Sequence, residues 1–365
     1  MDCYSIYEYL PKILRRIGIR PFCPQRRCSG KCAPSPDDVS RALEYLHSIH
    51  PDNGTSAIRE HATVSSCEYD LQIIIPVYNT EKFVQACIDS VLNQKTLCQY
   101  IVTVINDGCT DRSSDIITHM GSDPHVEIIN QPNKGFSGAR NAGLSALKGR
   151  YIMFLDSDDM LADGCIQNLY EQFNDDVDII GGGWLTIDLN DNIIEKVSPV
   201  GNLQSSYPWG KAFRAQLFKN IIFPEGYLFE DSIMGFLIFP IAKKMINIPE
   251  HVYKYRINPS GITLTSRGKP KILETLYVTL KLIKDRAKLG MDNDANFYDS
   301  LLYQAKMNQI RLGTFKDRHA QKAAFLVMRD IIMKCGLKTK SSRLKQIEEA
   351  LLANDFPRFL WICNL

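Results

Sequence analysis

The chain has 365 residues, of which 45% are hydrophobic and 23% charged, and its formal net charge is +2. These are the values of an ordinary folded protein, so they exclude a disordered chain and offer no global charge with which to hold nucleic acid. No run approaches the ~18 apolar residues that span a bilayer, and the N-terminus lacks the basic-then-apolar pattern of a secretion signal, so the expected location is the cytoplasm.

Residues 1–69 read as a helical accessory extension, with amphipathic stretches at 4–17 and 38–49 separated by a loop rich in Cys, Pro and Arg. The eleven cysteines are scattered through apolar patterns, as Cys87 and Cys98 are, and read as mostly free and buried. Cys23, Cys28 and Cys32 could form a zinc knuckle with Cys3 or Cys67, but neither interval has the usual two-residue spacing. Residues 70–265 alternate short apolar runs with helical patterns, the signature of βαβ units around a largely parallel sheet. The strands are expected at 71–77, 101–105, 126–129, 151–155 and 178–182. A helix over 81–93, capped by Asn79 or Thr80, places Val84, Ile88 and Val91 on one core-facing stripe. A second helix follows Asp111 and buries Ile116, Ile117 and Met120, and a third begins near Ser137 and buries Ala142 and Leu147. Residues 266–365 show helical periodicity at 272–288, 298–313 and 320–333.

With this phasing, the loops at the carboxyl ends of successive strands carry Pro76, Tyr78 and Asn79, then Asn106, Asp107 and Gly108, then Asn133, Lys134 and Gly135, then Asp156, Ser157 and Asp158. In an open α/β sheet that edge binds ligands. The last loop is the most informative, because the apolar run 151–155 ends in Asp156, Asp158 and Asp159, three carboxylates that repel one another. A hard divalent cation, Mn²⁺ or Mg²⁺, relieves that repulsion and can carry a diphosphate on its remaining positions.

Four segments in order, Ile73-Ile-Ile-Pro-Val-Tyr-Asn79, Asn106-Asp-Gly-Cys-Thr-Asp111, Asn133-Lys-Gly-Phe-Ser-Gly-Ala-Arg-Asn-Ala-Gly143 and Phe154-Leu-Asp-Ser-Asp-Asp159, resemble the successive signatures of family 2 glycosyltransferases with the GT-A fold. The resemblance covers residues 70–265. It implies an α/β catalytic domain, a mostly parallel sheet flanked by helices, with helical extensions at 1–69 and 266–365.

The resemblance also implies roles. Pro76, Tyr78 and Asn79 border a nucleotide base, and Asp107 accepts a hydrogen bond from uracil N3. Asn106 stands where the family has an aspartate, which leaves the division of labour between Asn106 and Asp107 open. Arg140, on the first turn of its helix, neutralises phosphate or holds a carboxylate. Lys134 is left to solvent. Asp156 serves the ribose and the metal, Asp158 ligates the metal, and Asp159 caps the next helix. Phe223-Pro-Glu-Gly-Tyr-Leu-Phe-Glu-Asp231 resembles the family's Glu-Asp motif, with Asp231 as catalytic base and Glu230 orienting a neighbour or the acceptor. Trp209 offers a face to a sugar ring, Lys211 beside it is assigned to the donor site, and Arg256 reaches the diphosphate.

The implied reaction is metal-dependent, inverting transfer of a hexosyl or N-acetylhexosaminyl group from a UDP-sugar to a carbohydrate or lipid-linked acceptor in cell-surface polysaccharide assembly. Basic stretches such as 12–20 suit peripheral contact with the inner face of a membrane, and an oligomer is compatible with the pattern. A dinucleotide-dependent oxidoreductase is disfavoured, since no Gly-x-Gly-x-x-Gly follows the first strand. The other rival is a non-catalytic nucleotide-binding or assembly subunit; the joint presence of Asp156, Asp158 and Asp231 argues against it.

Overall fold

The computed structural model describes residues 33–59, 67–201 and 205–364. The stretches at 4–17 and 12–20, and the cysteines at 3, 23, 28 and 32, lie outside the described residues. The chain forms two units, one of residues 54–261 and one joining the residues before 54 to those from 262 onward. Thus helix α1 (Pro36–Ile49) belongs with the C-terminal helices. It begins at a capping box, in which Ser35 Oγ accepts from the Asp38 N–H at 3.1 Å and Asp38 Oδ2 accepts from the Ser35 N–H at 3.3 Å.

In the unit 54–261, the first half follows the βαβ rhythm. Strands β1 (Tyr69–Val77), β2 (Tyr100–Asn106), β3 (Val126–Asn130) and β4 (Gly149–Phe154) alternate with helices α2 (Val84–Leu92), α3 (Ser113–Met120) and α4 (Gly135–Ser145). The expected α2 stripe of Val84, Ile88 and Val91 is buried against β1 and β2, joined by Cys87. In α3, Ile117 and Met120 are buried while Ile116 is partly covered, and next to α4 Leu147 is buried with Leu144. The second half adds β5 (Met160–Leu161), α5 (Cys165–Tyr170), β6 (Ile179–Ile187), β7 (Ile193–Val197), β8 (Lys211–Arg214) and β9 (Met245–Arg256).

The sheet order is β3-β2-β1-β4-β8-β6-β9-β5, with β7 paired to β6. Strands β1 to β4 pair in parallel, as expected, but β8 enters antiparallel between β4 and β6, so the sheet is mixed beyond β4. Pro76 lies past the last β1–β4 pair, Ile74 with Phe154, so its missing N–H costs no ladder bond on that side.

The polar segment before β1 contributes to this unit as well. Ile58 bridges Ile221, the Ile222 N–H donates to Ala57 O at 2.8 Å, and the Glu225 N–H donates to Thr55 Oγ1 at 2.9 Å. The described cysteines are all free, and Cys87, Cys98, Cys165 and Cys363 are buried.

The other unit adds α6 (Glu274–Lys288), α7 (Ala295–Leu312), α8 (Arg318–Cys335), α9 (Lys345–Leu352) and α10 (Phe356–Cys363). Helices α7 and α8 start at Asp294 and Asp317, whose carboxylates accept from the N–H groups of Phe297 and Ala320. Among the described residues no helix is long and apolar enough to cross a membrane.

Candidate active site

The ends of β1 and β2 are tied together. The Asp107 N–H donates to Val77 O at 3.0 Å, and Asn79, held at φ 52°, accepts from the Thr110 N–H through Oδ1 at 2.8 Å. Tyr78 stands exposed beside them. Asn106 is spent on the loop itself. Its Nδ2 donates to Asn130 Oδ1 at 2.9 Å and Ser114 Oγ at 3.2 Å, and its Oδ1 accepts from the Cys109 N–H at 3.1 Å. Both ends of the Asn106 amide are thus engaged within the loops after β2 and β3.

Asp107 is buried, and its Oδ1 accepts from Gln131 Nε2 at 2.6 Å and from the Lys134 N–H at 2.9 Å, which fixes the loop after β3. Gly108 makes this approach workable. Its φ is +72°, and a Cβ there would lie 2.9 Å from Asn133 N. The side chain of Lys134 is exposed, as expected.

Arg140 joins two parts of the sequence that lie 90 residues apart. It is in the second turn of α4 rather than the first, because the helix begins at Gly135, two residues earlier than the Ser137 start expected. Its guanidinium is buried, donating to Glu230 Oε1 at 2.5 Å and Asp156 Oδ1 at 2.7 Å, and it lies over the rings of Phe136 and Phe223. Burial and the charge of Asp231 push the Glu230 carboxyl up, to about 8, while Arg140 pulls it down. On the other side, Asp156 and Glu230 outweigh the cost of burying Arg140 and hold it charged.

Asp231 follows at half-buried exposure in a 3₁₀ turn (Glu230–Ser232), and a π-helical turn (Met234–Ile238) comes directly after it. Such turns recur at functional sites. Asn141, which the sequence reading left without a role, anchors the same segment. Its Nδ2 donates to Phe223 O at 2.8 Å, and its Oδ1 accepts from the Phe223 N–H at 2.9 Å. The Arg-Asn pair on one helical turn was the available signal.

The acidic loop after β4 is organised from β9. The Asp156 N–H donates to Tyr253 Oη at 3.2 Å, and Tyr253 Oη donates to Asp159 Oδ2 at 2.8 Å. Asp159 Oδ1 accepts from the Arg256 N–H at 2.7 Å. Asp159 is therefore not a helix cap: it is buried, strand β5 follows it directly, and both its oxygens are given to β9. Burial and the charges of Asp158 and Asp156 raise its carboxyl well above the ordinary range.

Asp158 Oδ2 accepts from Asn258 Nδ2 at 2.9 Å, and its carboxyl is also raised, first by burial. Asp156 keeps 28% of its side chain exposed, and its Oδ2 makes no hydrogen bond among the described residues. Asp156 and Asp158 thus stand on one loop with a solvent-facing oxygen between the strand end and bulk water. No group of three or more His, Cys, Asp or Glu side chains arranged to hold a metal occurs among the described residues.

Three expected ligand contacts are placed elsewhere. Arg256 is buried with Nε donating to Asp158 O at 2.8 Å and Nη1 donating to Asp191 Oδ1 at 2.6 Å, and it lies over Phe83, so it braces the acidic loop instead of reaching out of it. Trp209 is buried, with rings of Tyr207, Tyr253 and Tyr255 within stacking distance, so the indole faces are covered. Lys211 Nζ donates to Ser205 Oγ at 2.7 Å, Tyr207 O at 2.9 Å and Trp209 O at 3.3 Å, and burial lowers its pKa to about 7. It holds the 205–211 loop. Tyr253 and Asn258, which bond the carboxylates of Asp159 and Asp158 and the backbone N–H of Asp156, were not legible locally because each contact spans 94 to 100 residues.

The glycosyl transferase family 2 model matches residues 72–229, which contain the four strand-end loops and Arg140. Glycosyltransferase GlyA of Streptococcus pneumoniae is 31% identical over 53% of this chain and 31% of its own length. The uncharacterized glycosyltransferase EpsJ of Bacillus subtilis is 33% identical over 53% of this chain and 62% of its own. The matched stretch thus covers less than two thirds of either relative. Among solved structures, S. aureus TarS 1-349 in complex with UDP-GlcNAc superposes with a TM-score of 0.61 at 16% identity, covering 80% of this chain and 89% of that one. Residues 72–229 thus match the glycosyl transferase family 2 model, and the fold is one shared with S. aureus TarS, a GT-A type glycosyltransferase.

Proposed function

We propose that this chain transfers a sugar, with inversion, from a UDP-sugar to a hydroxyl of a carbohydrate or glycolipid acceptor in the assembly of a cell-surface polysaccharide. The observation that carries the reading is the Arg140 bridge, which brings the Asp156 loop and the Glu230-Asp231 turn to one guanidinium. Donor loops and a candidate base thereby share one site. TarS, solved with UDP-GlcNAc and with UDP, supports the choice of nucleotide.

In the proposed step, the acceptor oxygen attacks the anomeric carbon as Asp231 takes its proton. The bond from that carbon to the diphosphate breaks, with the electron pair leaving on the phosphate oxygen. Glu230 is spent on Arg140 and orients the turn. Asp107 remains the group to accept from uracil N3, between the Pro76 to Asn79 segment and the loop after β3. Asp156 and Asp158 would hold Mn²⁺ or Mg²⁺. Two carboxylates, one with a solvent-facing oxygen, suit a hard cation that completes its shell with phosphate oxygens and water. When bound, the cation supplies positive charge for the departing diphosphate.

Screening UDP-sugars for UDP release with and without Mn²⁺, on the intact chain and on Asp231→Asn, tests the reading. Removing a general base costs roughly 10² to 10⁴-fold in kcat, with UDP affinity nearly unchanged. Near-normal turnover in Asp231→Asn would move the base elsewhere, and a retained anomeric configuration in the product, read by NMR, would exclude a single displacement.

A further inference from the structure

Residues 219–229 lead from a 3₁₀ turn (Ala215–Phe218) to the turn of Glu230 and Asp231, and apart from one bridge at Ile221 they form no helix or strand. The placement of the candidate base therefore falls to the contacts that hold this segment. Helix α4 grips it from one side. Asn141 bonds both the N–H and the carbonyl of Phe223, and its Nδ2 reaches Glu225 Oε1 at 3.1 Å, one residue along from the Arg140 that holds Glu230. Residues 54–59 grip it from another, and they lie ahead of residue 72, where the family match begins.

Residues 54–59 run antiparallel to 220–225. The Arg59 N–H donates to Asn220 O at 3.1 Å, the Ile222 N–H to Ala57 O at 2.8 Å and the Thr55 N–H to Glu225 O at 2.9 Å, while the Glu225 N–H donates to Thr55 Oγ1 at 2.9 Å. Ala57 is buried, and a Cβ on Gly54 would lie 2.0 Å from the ring of Tyr227, so the segment lies flush against the chain shortly before Asp231.

Arg59 anchors the far end. Its Nη1 and Nη2 donate to Leu144 O at 3.3 Å, Nη2 also to Phe218 O at 3.1 Å, and Nε to Lys219 O at 3.3 Å. Leu144 is in the last turn of α4 and Phe218 ends the 3₁₀ turn, so these are carbonyls for which the helix itself supplies no N–H, and a cation suits them. Among the described residues the guanidinium donates to carbonyl oxygens alone. It therefore ties the end of α4, the helix that carries Arg140 and Asn141, to the start of the segment that carries the base.

We propose that residues 54–59 are a strap that sets the position of the Glu230-Asp231 turn, with Arg59 and Thr55 as positioning residues for the base, an assignment that rests on the transfer reaction proposed above.

The variants are Arg59→Met, Thr55→Val and Thr55→Ser, assayed in the intact chain with the UDP-sugar identified by the screen. Arg59→Met should lower kcat about tenfold or more, since a displaced base loses its alignment with the acceptor. The donor KM and the UDP affinity should stay unchanged, which also certifies that the variant folds. Thr55→Val should lower kcat less, and Thr55→Ser, which keeps the hydroxyl, should restore it. In an Asp231→Asn background Arg59→Met should cost nothing further, because a strap that acts through the base has nothing left to align, whereas a merely structural loss would multiply. Hydrogen exchange read by mass spectrometry should quicken over 220–232 in Arg59→Met and stay as it was over the donor loops at 106–111 and 131–135. An unchanged kcat, an equal fractional loss with and without Asp231, or a parallel loss of UDP affinity overturns the strap. Absence of UDP-sugar turnover in the intact chain would instead overturn the proposed transfer; the exchange pattern then decides the strap by itself, which stands if 220–232 quickens selectively and falls if it does not.

Discussion

Replacing Arg140 by Met tests the link on which the site is built. The guanidinium makes two charge-assisted hydrogen bonds, at 2.5 Å to Glu230 and 2.7 Å to Asp156, with side-chain exposures of 5%, 7% and 28% for Arg140, Glu230 and Asp156. Each such bond contributes roughly 1.5–3 kcal/mol, and breaking a buried pair by removing one partner costs roughly 3–5 kcal/mol. Because Asp156 is partly hydrated and can turn to water, the expected loss is about 4 kcal/mol near pH 8.

The pH dependence has a definite sign. Arg140 is the main influence holding the Glu230 carboxyl down, so its removal raises a group that already lies at about 8 against an ordinary 4.5. A carboxyl raised on folding contributes stability that is present in full below its unfolded value and is lost as pH rises through its folded value. In the intact protein that contribution is gone just above pH 8; in Arg140→Met it continues to fall at higher pH, so the gap between the two widens from pH 8 to 9.5. The double variant Arg140→Met/Glu230→Gln removes the orphaned charge, so it should recover about half of the loss and flatten the extra pH dependence. Urea unfolding followed by circular dichroism at pH 7, 8 and 9.5 measures all three. A loss under about 1 kcal/mol, or a double variant as unstable as the two single changes summed, would refute the bridge as the organising contact.

Further outcomes follow from the same geometry. Asp158→Ala should abolish the Mn²⁺ dependence of UDP binding with the fold intact; calorimetry in which EDTA leaves the affinity of the intact protein unaltered would remove the metal from the proposal. Asp107→Ala frees the Lys134 N–H and Gln131 Nε2 and should weaken UDP more than it alters the Mn²⁺ requirement, and a competition assay won by GDP would refute uracil as the base. Lys211, lowered to about 7 by burial, binds its proton more weakly folded than unfolded, so stability should rise with pH between 7 and the ordinary 10.5. Lys211→Met should lose that rise, and identical slopes of urea midpoint against pH in the two proteins would contradict it.

The sequence by itself determined the parts whose energetics are local. Strands β1 to β4 were legible because each is a short apolar run closed by turn residues, and the stripe of Val84, Ile88 and Val91 because helical spacing puts those positions on one face. The loops carrying Asp107, Asp156 and Asp158 followed from the same phasing, since a parallel strand delivers its last residues to one edge of the sheet. Strands β7 and β8 were not legible. Lys211–Arg214 is four residues long, and Ile193–Val197 is mostly exposed, so neither carries a periodic signal. What each polar side chain does was decided by the tertiary structure. Asp159 reads as a helix cap, but β9 brings Tyr253 and the Arg256 N–H to it; Arg256 reads as reaching a diphosphate, but Asp191 and the Asp158 carbonyl take it; and the partners of the Asn106 amide, Ser114 and Asn130, lie on other elements. Hydrogen bonding is short in range and blind to sequence separation, so the partner of a carboxylate, guanidinium or amide is set by strand order and register, which join residues up to 100 positions apart that no local pattern connects.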